Sequence, residues 1–159
     1  MKLNTFSKLI IAVGISFLPG IIGFVFTAPA IPEWYAFIQK PVLTPPSWIF
    51  GPVWTALYLL MGIAAFVVWT RISTGLRERK RALVIFDVHL ALNALWSILF
   101  FGFRNPGVAL IEIIVLWLSI LLTIFVFYKA SRLAAVLLVP YILWVSFAVY
   151  LNYAVWVLN

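Results

Sequence analysis

Apolar residues fill five long stretches of the chain, and polar residues collect in the shorter segments between them. The stretches cover residues 6–27, 49–70, 82–103, 106–128 and 133–157. An apolar run of about 18 or more residues is typical of a transmembrane helix, because about 20 residues at ~1.5 Å each cross a ~30 Å hydrocarbon core. The pattern therefore predicts that residues 1–159 form a single domain, an all-α integral membrane protein built as a five-transmembrane-helix bundle.

The longest segment between the predicted helices, residues 28–48, is unlike a simple connector. It contains five prolines, which restrict the backbone, and a short helix is predicted near residues 33–39. Two interpretations of the segment are open: a lid that covers a binding site, or an aromatic belt at the membrane surface. Both rest on its aromatic side chains, which are Trp34, Tyr35, Phe37 and Trp48.

The charge distribution predicts how the chain is oriented. The chain is 66% hydrophobic and 9% charged, with a net charge of +7. This charge does not indicate nucleic-acid binding, because the basic residues lie at helix ends. Of the 11 basic residues, only Lys40 and Arg104 fall on the far side of a five-span topology. The positive-inside rule therefore places the N-terminus in the cytoplasm, and the basic segments are also suited to contact anionic lipid heads. The basic residues on the near side are Lys2, Lys8, Arg71, Arg77, Arg79, Lys80, Arg81, Lys129 and Arg132.

Residue types and motifs argue against several chemistries. The chain has no cysteine, which excludes disulfides and thiolate chemistry. It has no nucleophile-elbow, phosphate-loop or His/Cys metal motif, and His89 is the single histidine, so no metal site is predicted. The first apolar run, followed by Ala28-Pro29-Ala30, also resembles a cleavable signal peptide, but its length favours a retained helix.

Polar side chains inside the apolar stretches mark candidate functional positions, because burying them in hydrocarbon is costly. His89, Asn93 and Trp96 are spaced i, i+4 and i+7 and therefore share one face of the third predicted helix. The amide of Asn93 could hydrogen-bond a neighbouring helix or contact a ligand, and both interpretations stay open. Glu112 could pair with Arg104, remain protonated, or serve a proton or ligand pathway.

Several aromatic side chains fall at a similar depth on the side opposite the N-terminus. Trp54 lies roughly 8 Å inside the second predicted helix, and Trp96 roughly 10 Å from the end of the third. Trp144 lies near the middle of the fifth predicted helix, close to Phe147 and Ala148. These groups can form one layer beneath the predicted lid, which favours a pocket for a flat apolar ligand. Whether they face one another depends on the order of the helices, which the pattern does not give.

Short motifs distributed over all five predicted helices carry a family resemblance. They are Glu33-Trp34-Tyr35, Lys40-Pro41, Thr44-Pro45-Pro46, Val53-Trp54-Thr55-Ala56-Leu57-Tyr58, Leu90-Ala91-Leu92-Asn93, Trp96, Phe100-Phe101-Gly102, Val139-Pro140-Tyr141, Trp144, Phe147-Ala148 and Leu151-Asn152-Tyr153. In this order they resemble the translocator protein family, also called tryptophan-rich sensory proteins or peripheral benzodiazepine receptors. One departure is Leu43, where the family often has an aromatic residue.

The resemblance implies a homodimer of five-helix bundles with a pocket closed by the first loop. It implies no required cofactor, and as ligand protoporphyrin IX or a haem-like tetrapyrrole; family members also bind benzodiazepine-type ligands, and some bind cholesterol. No basic residue follows Tyr150 or Tyr153 to complete the cholesterol pattern, so sterol specificity is not predicted. The implied ligand-binding residues are Trp34, Tyr35, Trp54, Asn93, Trp96, Trp144, Phe147 and Ala148.

Four functions compete at this point. The first is a membrane receptor or sensor of porphyrins, linked to tetrapyrrole homeostasis or stress. The second is an enzyme that degrades porphyrin with light, in which the resemblance gives Trp54 and Trp144 the catalytic role. The third is a porphyrin or lipid transporter, against which the chain shows no inverted repeat. The fourth is a structural membrane protein whose aromatic residues only pack.

Overall fold

The computed structural model describes residues 4–71 and 74–159, and in these residues it forms six helices and no strand. The last two helices, Arg132–Leu137 and Val139–Leu158, together make one span, so the predicted five-helix membrane bundle is confirmed. Lys2, one of the basic residues counted above, lies outside the described residues. The helices are α1 Thr5–Ala30, α2 Ser47–Thr70, α3 Leu76–Ser97, α4 Pro106–Ala130, α5 Arg132–Leu137 and α6 Val139–Leu158.

Two π-helical turns continue helices, and the first of them carries its helix beyond the predicted end at residue 27. Ile31–Tyr35 continues α1, and Ile98–Gly102 continues α3. The predicted lid loop therefore begins too early at residue 28, because the chain stays helical through Pro29 and to Tyr35. Pro32, which has no N–H donor, lies in the first of these π-helical turns. Because a π-helical turn is wider than an α-helical one, it accommodates such a residue without ending the helix. We call residues 36–46 the lid.

Charged residues account for the early start of α3. The apolar pattern predicts a helix from residue 82, but α3 begins at Leu76. Hydropathy marks only the part of a helix that lies in hydrocarbon, and the first turns of α3 are strongly basic. In the fifth span, Pro140 is the second residue of α6, where its missing N–H is tolerated, and the break falls at Leu138.

The five spans form a closed ring. Going round the ring, α1 is followed by α2, the α5–α6 span, α4 and α3, and α3 packs again on α1. The short connections at Arg104 and Ser131 make α3, α4 and α5 sequential neighbours, as antiparallel helices joined by tight turns must be. α2 packs most closely on α1, and within the fifth span it contacts α5 more than α6.

The two ends of the bundle differ in charge. Lys40 and Arg104 lie at the end that carries the lid, where Arg104 Nη2 is 2.8 Å from Glu33 Oε2. At the other end, Arg79 Nη1 donates to the Trp69 carbonyl oxygen at 3.1 Å. We call these the lid end and the basic end. The predicted separation of basic residues by end holds for all those described, and the cytoplasmic position of the basic end stays a prediction.

Glu112 does not pair with Arg104, because Arg104 turns to Glu33 at the surface of the lid end. Glu112 is 7% exposed in α4, and neither of its carboxyl oxygens has a hydrogen-bond partner among the described residues. A carboxylate without partners in hydrocarbon is strongly disfavoured. The other two interpretations of Glu112, a protonated side chain and a proton or ligand pathway, stay predictions.

A tight helix crossing in the basic half yields a stability prediction. A Cβ on Gly62 of α2 would lie 2.6 Å from the Cα of Val13 in α1. Gly62→Ala should therefore force the two backbones apart and destabilise the bundle by about 1–3 kcal/mol. Thermal unfolding in detergent measures the loss. Gly14→Ala is the matched control, since nothing lies within 4 Å of its Cβ; equal melting temperatures for both variants would refute the tight crossing.

A candidate ligand cavity at the lid end of the bundle

A cavity of about 640 Å³ opens inside the lid end of the bundle. Four spans contribute to its wall, and α4 does not. Its lining is mostly apolar, with aromatic side chains on α2, α3 and α6. The lining residues are Phe17, Pro19, Gly20, Ile21, Gly23, Phe24, Val25, Thr27, Ile31, Tyr35, Thr44, Ser47, Phe50, Gly51, Trp54, Thr55, Tyr58, Asn93, Trp96, Ser97, Phe100, Phe101, Trp144, Ala148, Leu151, Asn152 and Val155.

The structure brings most of the candidate binding residues onto this wall and leaves two behind it. Trp34 packs edge-on against Phe100, with ring centroids 5.6 Å apart, and does not line the cavity. Phe147 packs against Trp144 at 5.8 Å and also lies off the wall. The six that line the cavity are Tyr35, Trp54, Asn93, Trp96, Trp144 and Ala148.

Stacked aromatic pairs give the cavity flat walls. Trp54 stacks on Tyr58 with centroids 5.3 Å apart and ring planes at 27°. Across the cavity, Trp96 stacks on Phe100 at 5.0 Å and 23°. All four of these rings line the cavity, and such packed aromatic surface suits a flat aromatic ligand.

Asn93 joins three helices through its amide. The Tyr58 hydroxyl on α2 donates to Asn93 Oδ1 at 3.0 Å, and Asn93 Nδ2 donates to the Tyr141 hydroxyl on α6 at 3.0 Å. This is the interhelical bond that the sequence left as one of two interpretations. An amide can make about four hydrogen bonds. One N–H and one acceptor position of Asn93 therefore remain for a ligand at the cavity wall.

A second buried amide holds the lid end together. Trp96 Nε1 donates to Asn152 Oδ1 at 2.9 Å, and Asn152 Nδ2 donates to the Pro106 carbonyl oxygen at 2.7 Å. Pro106 is the first residue of α4, so this amide ties α3, α4 and α6 at one point. The bond from its indole fixes the position of the Trp96 ring on the cavity wall.

The contribution of α1 to the cavity was missed from the sequence. Gly20 and Gly23 give room to side chains on other helices: a Cβ on Gly20 would lie 2.6 Å from the Tyr58 ring, and one on Gly23 2.8 Å from Ser97 Oγ. The Gly20 contact lets the Tyr58 ring lean against α1. The signal available in the sequence was a pair of small residues, three positions apart and next to Pro19. Such pairs are as common where two helices simply pack together, so they do not by themselves indicate a cavity.

The lid is fastened at three points. The side chain of Asn159 pairs with the backbone of Gln39, accepting from its N–H at 2.9 Å and donating to its carbonyl oxygen at 3.0 Å. Lys40 Nζ donates to the carbonyl oxygens of Tyr35 and Ile38, and the Arg104–Glu33 salt bridge holds the turn before the lid. These contacts hold the lid at the end of the bundle that faces the aqueous phase.

His89 does not reach the cavity and is not part of a metal site among the described residues. It is completely buried between Phe86 and Tyr141, with ring centroids 4.8 and 5.6 Å away. Its spacing places His89 on the same helix face as Asn93 and Trp96, but it lies nearer the basic end of the bundle.

Fold and site together define a multi-pass integral membrane protein whose helices enclose an aromatic cavity under a lid. Residues 12–157 match the TspO/MBR family, and the chain belongs to this family. It is 45% identical to the tryptophan-rich protein TspO of Archaeoglobus fulgidus over 88% of this chain and 89% of the relative. It is 37% identical to the translocator protein of Sus scrofa over 91% and 88% of the two chains. With the tryptophan-rich sensory protein of Cereibacter sphaeroides it shares 38% identity over 80% and 77%.

Proposed function

We propose that this protein is a membrane receptor or sensor that binds a porphyrin-type tetrapyrrole in the lid-end cavity. The observation that carries the proposal is the pair of stacked aromatic walls, Trp54 on Tyr58 and Trp96 on Phe100, around a volume of about 640 Å³. Binding cavities for small molecules typically measure ~300–1,000 Å³ and are mainly apolar with a few polar groups. The names of relatives, translocator protein and tryptophan-rich sensory protein, support a sensing role.

Charge at the lid end suits the acidic edge of such a ligand. Protoporphyrin IX carries two carboxylates on one side of an otherwise apolar ring, and these groups avoid hydrocarbon. Lys40 and Arg104 lie at the lid end beside the cavity wall, where a ligand carboxylate would compete with Glu33 for Arg104, and Asn93 offers its free amide positions deeper in the cavity. The ring would therefore lie between the aromatic walls with its carboxylates directed toward the lid.

Titration of the purified protein with protoporphyrin IX, followed by tryptophan fluorescence, tests this function. We expect saturable quenching in the wild type. Trp144→Phe should weaken binding about threefold to tenfold, because a smaller ring leaves part of the cavity wall without contact. Trp156→Phe is the matched control, since Trp156 is half-exposed on the same helix and does not line the cavity.

The same titration can refute the function. Non-saturable quenching, or one binding curve shared by the wild type, Trp144→Phe and Asn93→Ala, would mean that the porphyrin only partitions into the micelle. The aromatic layer would then serve packing alone.

One contact favours a second candidate function, light-dependent porphyrin breakdown. Trp54 and Tyr58 stack on the cavity wall, so two oxidisable rings adjoin the proposed ligand, and Tyr141 packs edge-on to Trp54 at 6.2 Å but lies off the wall. If light and oxygen drive such a reaction, Trp54→Phe should abolish porphyrin loss under illumination while most of the binding remains. Absorbance of bound porphyrin measures this, and a parallel loss of binding and turnover would exclude a specific chemical role for Trp54.

A further inference from the structure

The contact between α1 and α2 changes along its length. In the basic half the two helices touch closely, since a Cβ on Gly62 would meet the backbone of Val13 at 2.6 Å. Gly51 lies eleven residues, or about three turns, before Gly62 and therefore on the same stripe of α2. Nothing lies within 4 Å of a Cβ on Gly51, and Gly51 is exposed. α1 and α2 thus separate in the lid half.

The same divergence is visible on α1. Phe24 lies eleven residues after Val13 and so on the stripe that faces α2 in the basic half. Instead of packing there, Phe24 is 70% exposed. Exposed residues of both helices also line the cavity: Phe24 on α1, and Gly51 and Thr55 on α2. A residue that borders both the cavity and the outer surface marks an opening between them.

This opening faces hydrocarbon. It lies between two transmembrane spans, and its α1 edge is flanked by Ile21 and Val25, which are 62% and 64% exposed. On the α2 edge, the Thr55 hydroxyl is bonded to the Gly51 carbonyl oxygen at 2.9 Å and is therefore satisfied within its own helix. At the aqueous end of the bundle, by contrast, the lid is held by the side chain of Asn159 and the turn before it by the Arg104–Glu33 salt bridge.

We propose that ligands reach the cavity from the lipid bilayer, through a lateral portal between α1 and α2 bordered by Phe24, Gly51 and Thr55. The portal selects molecules that already partition into the hydrocarbon layer, and the lid retains them without opening. The nature of the ligand rests on the proposed function, whereas the route does not. An acyl chain of a membrane lipid has access to the same opening.

A reporter thiol inside the cavity tests the route without porphyrin. The chain has no cysteine, so Ala148→Cys on the α6 wall introduces a single thiol. A hydrophobic N-alkyl maleimide, dissolved in the lipid of nanodiscs that hold the protein, reports how fast a membrane-borne molecule reaches this thiol. A side chain added at Gly51 should narrow the portal. The modification rate should fall progressively for Gly51→Ala, Gly51→Leu and Gly51→Phe, by at least fivefold for phenylalanine.

Two further variants separate the portal from the lid. Gly14→Phe places the same ring on the exposed surface of α1, where nothing lies within 4 Å, and should leave the rate unchanged. Asn159→Ala unfastens the lid and should also leave it unchanged. An unchanged rate in Gly51→Phe, or faster modification in Asn159→Ala, would overturn the portal. If porphyrin fails to bind saturably, the proposed function falls and this result still stands.

Discussion

Replacing Ala148 with tryptophan should abolish saturable binding of protoporphyrin IX, weakening it at least about a hundredfold. Ala148 lies on the cavity wall one helical turn from Trp144, and an indole at this position would fill part of the cavity of about 640 Å³. A rigid, flat ligand cannot shrink to share that space, and cores do not expand without strain. The expected loss of affinity is larger than for the removal of any single contact, because the added ring fills the binding site.

The control for this variant keeps the added ring but moves it outside. Leu143 is 65% exposed on the same helix and does not line the cavity, so Leu143→Trp should bind protoporphyrin as the wild type does. Thermal unfolding of both variants checks that the fold survives. Wild-type affinity in a folded Ala148→Trp protein would show that the ligand lies elsewhere.

Asn93→Leu should produce the largest loss of stability among single polar substitutions, about 1–3 kcal/mol. Both hydrogen bonds of the Asn93 amide disappear, and two buried hydroxyls, on Tyr58 and Tyr141, lose their partner. Interhelical hydrogen bonds in membranes contribute on average ~0.6 and at most ~1.7 kcal/mol each. Their joint loss also releases α2 and α6 from α3, so the cavity walls should move and porphyrin binding should weaken.

A double-mutant comparison distinguishes a polar network from simple packing. Tyr58→Phe removes only one of the two bonds and should cost about half as much. In the double variant, Tyr58→Phe should add little to Asn93→Leu, because the bond is already absent. Fully additive losses in thermal unfolding would show that the Asn93 amide does not couple the helices.

The sequence predicts the polar part of the site better than its shape. Asn93 and Trp96 could be recognised because polar atoms in hydrocarbon need partners, and helical spacing places them on one face. Their partners, Tyr58, Tyr141 and Asn152, became visible only with the ring order of the helices. Depth along a helix does not specify the direction of a side chain, which is why Phe147 shares the layer of Trp144 but points away from the cavity.

The exact helix ends and the contribution of α1 to the cavity wall could not be predicted from the sequence, for different reasons. Pro29 and Pro32 indicate a loop in a soluble protein, yet here a π-helical turn carries the helix on to Tyr35. Gly20 and Gly23 shape the cavity because they have no side chain and so leave room for Tyr58 and Ser97. The absence of a side chain gives no chemical signal in a single sequence. The portal cannot be predicted from the sequence for the same reason. Gly51 and Gly62 are the same residue type on one helix, and only the structure shows that Val13 lies opposite Gly62 whereas nothing lies opposite Gly51.

Fluorine NMR of protein labelled with 5-fluorotryptophan is the most direct test of the central claim, that a flat tetrapyrrole lies in the aromatic cavity. The chain has eight tryptophans, and single Trp→Phe variants assign their signals. The ring current of protoporphyrin IX should shift Trp54, Trp96 and Trp144, which line the cavity, and leave Trp48, Trp117 and Trp156 in place. Shifts confined to this second group, or equal small shifts at all positions, would contradict the account.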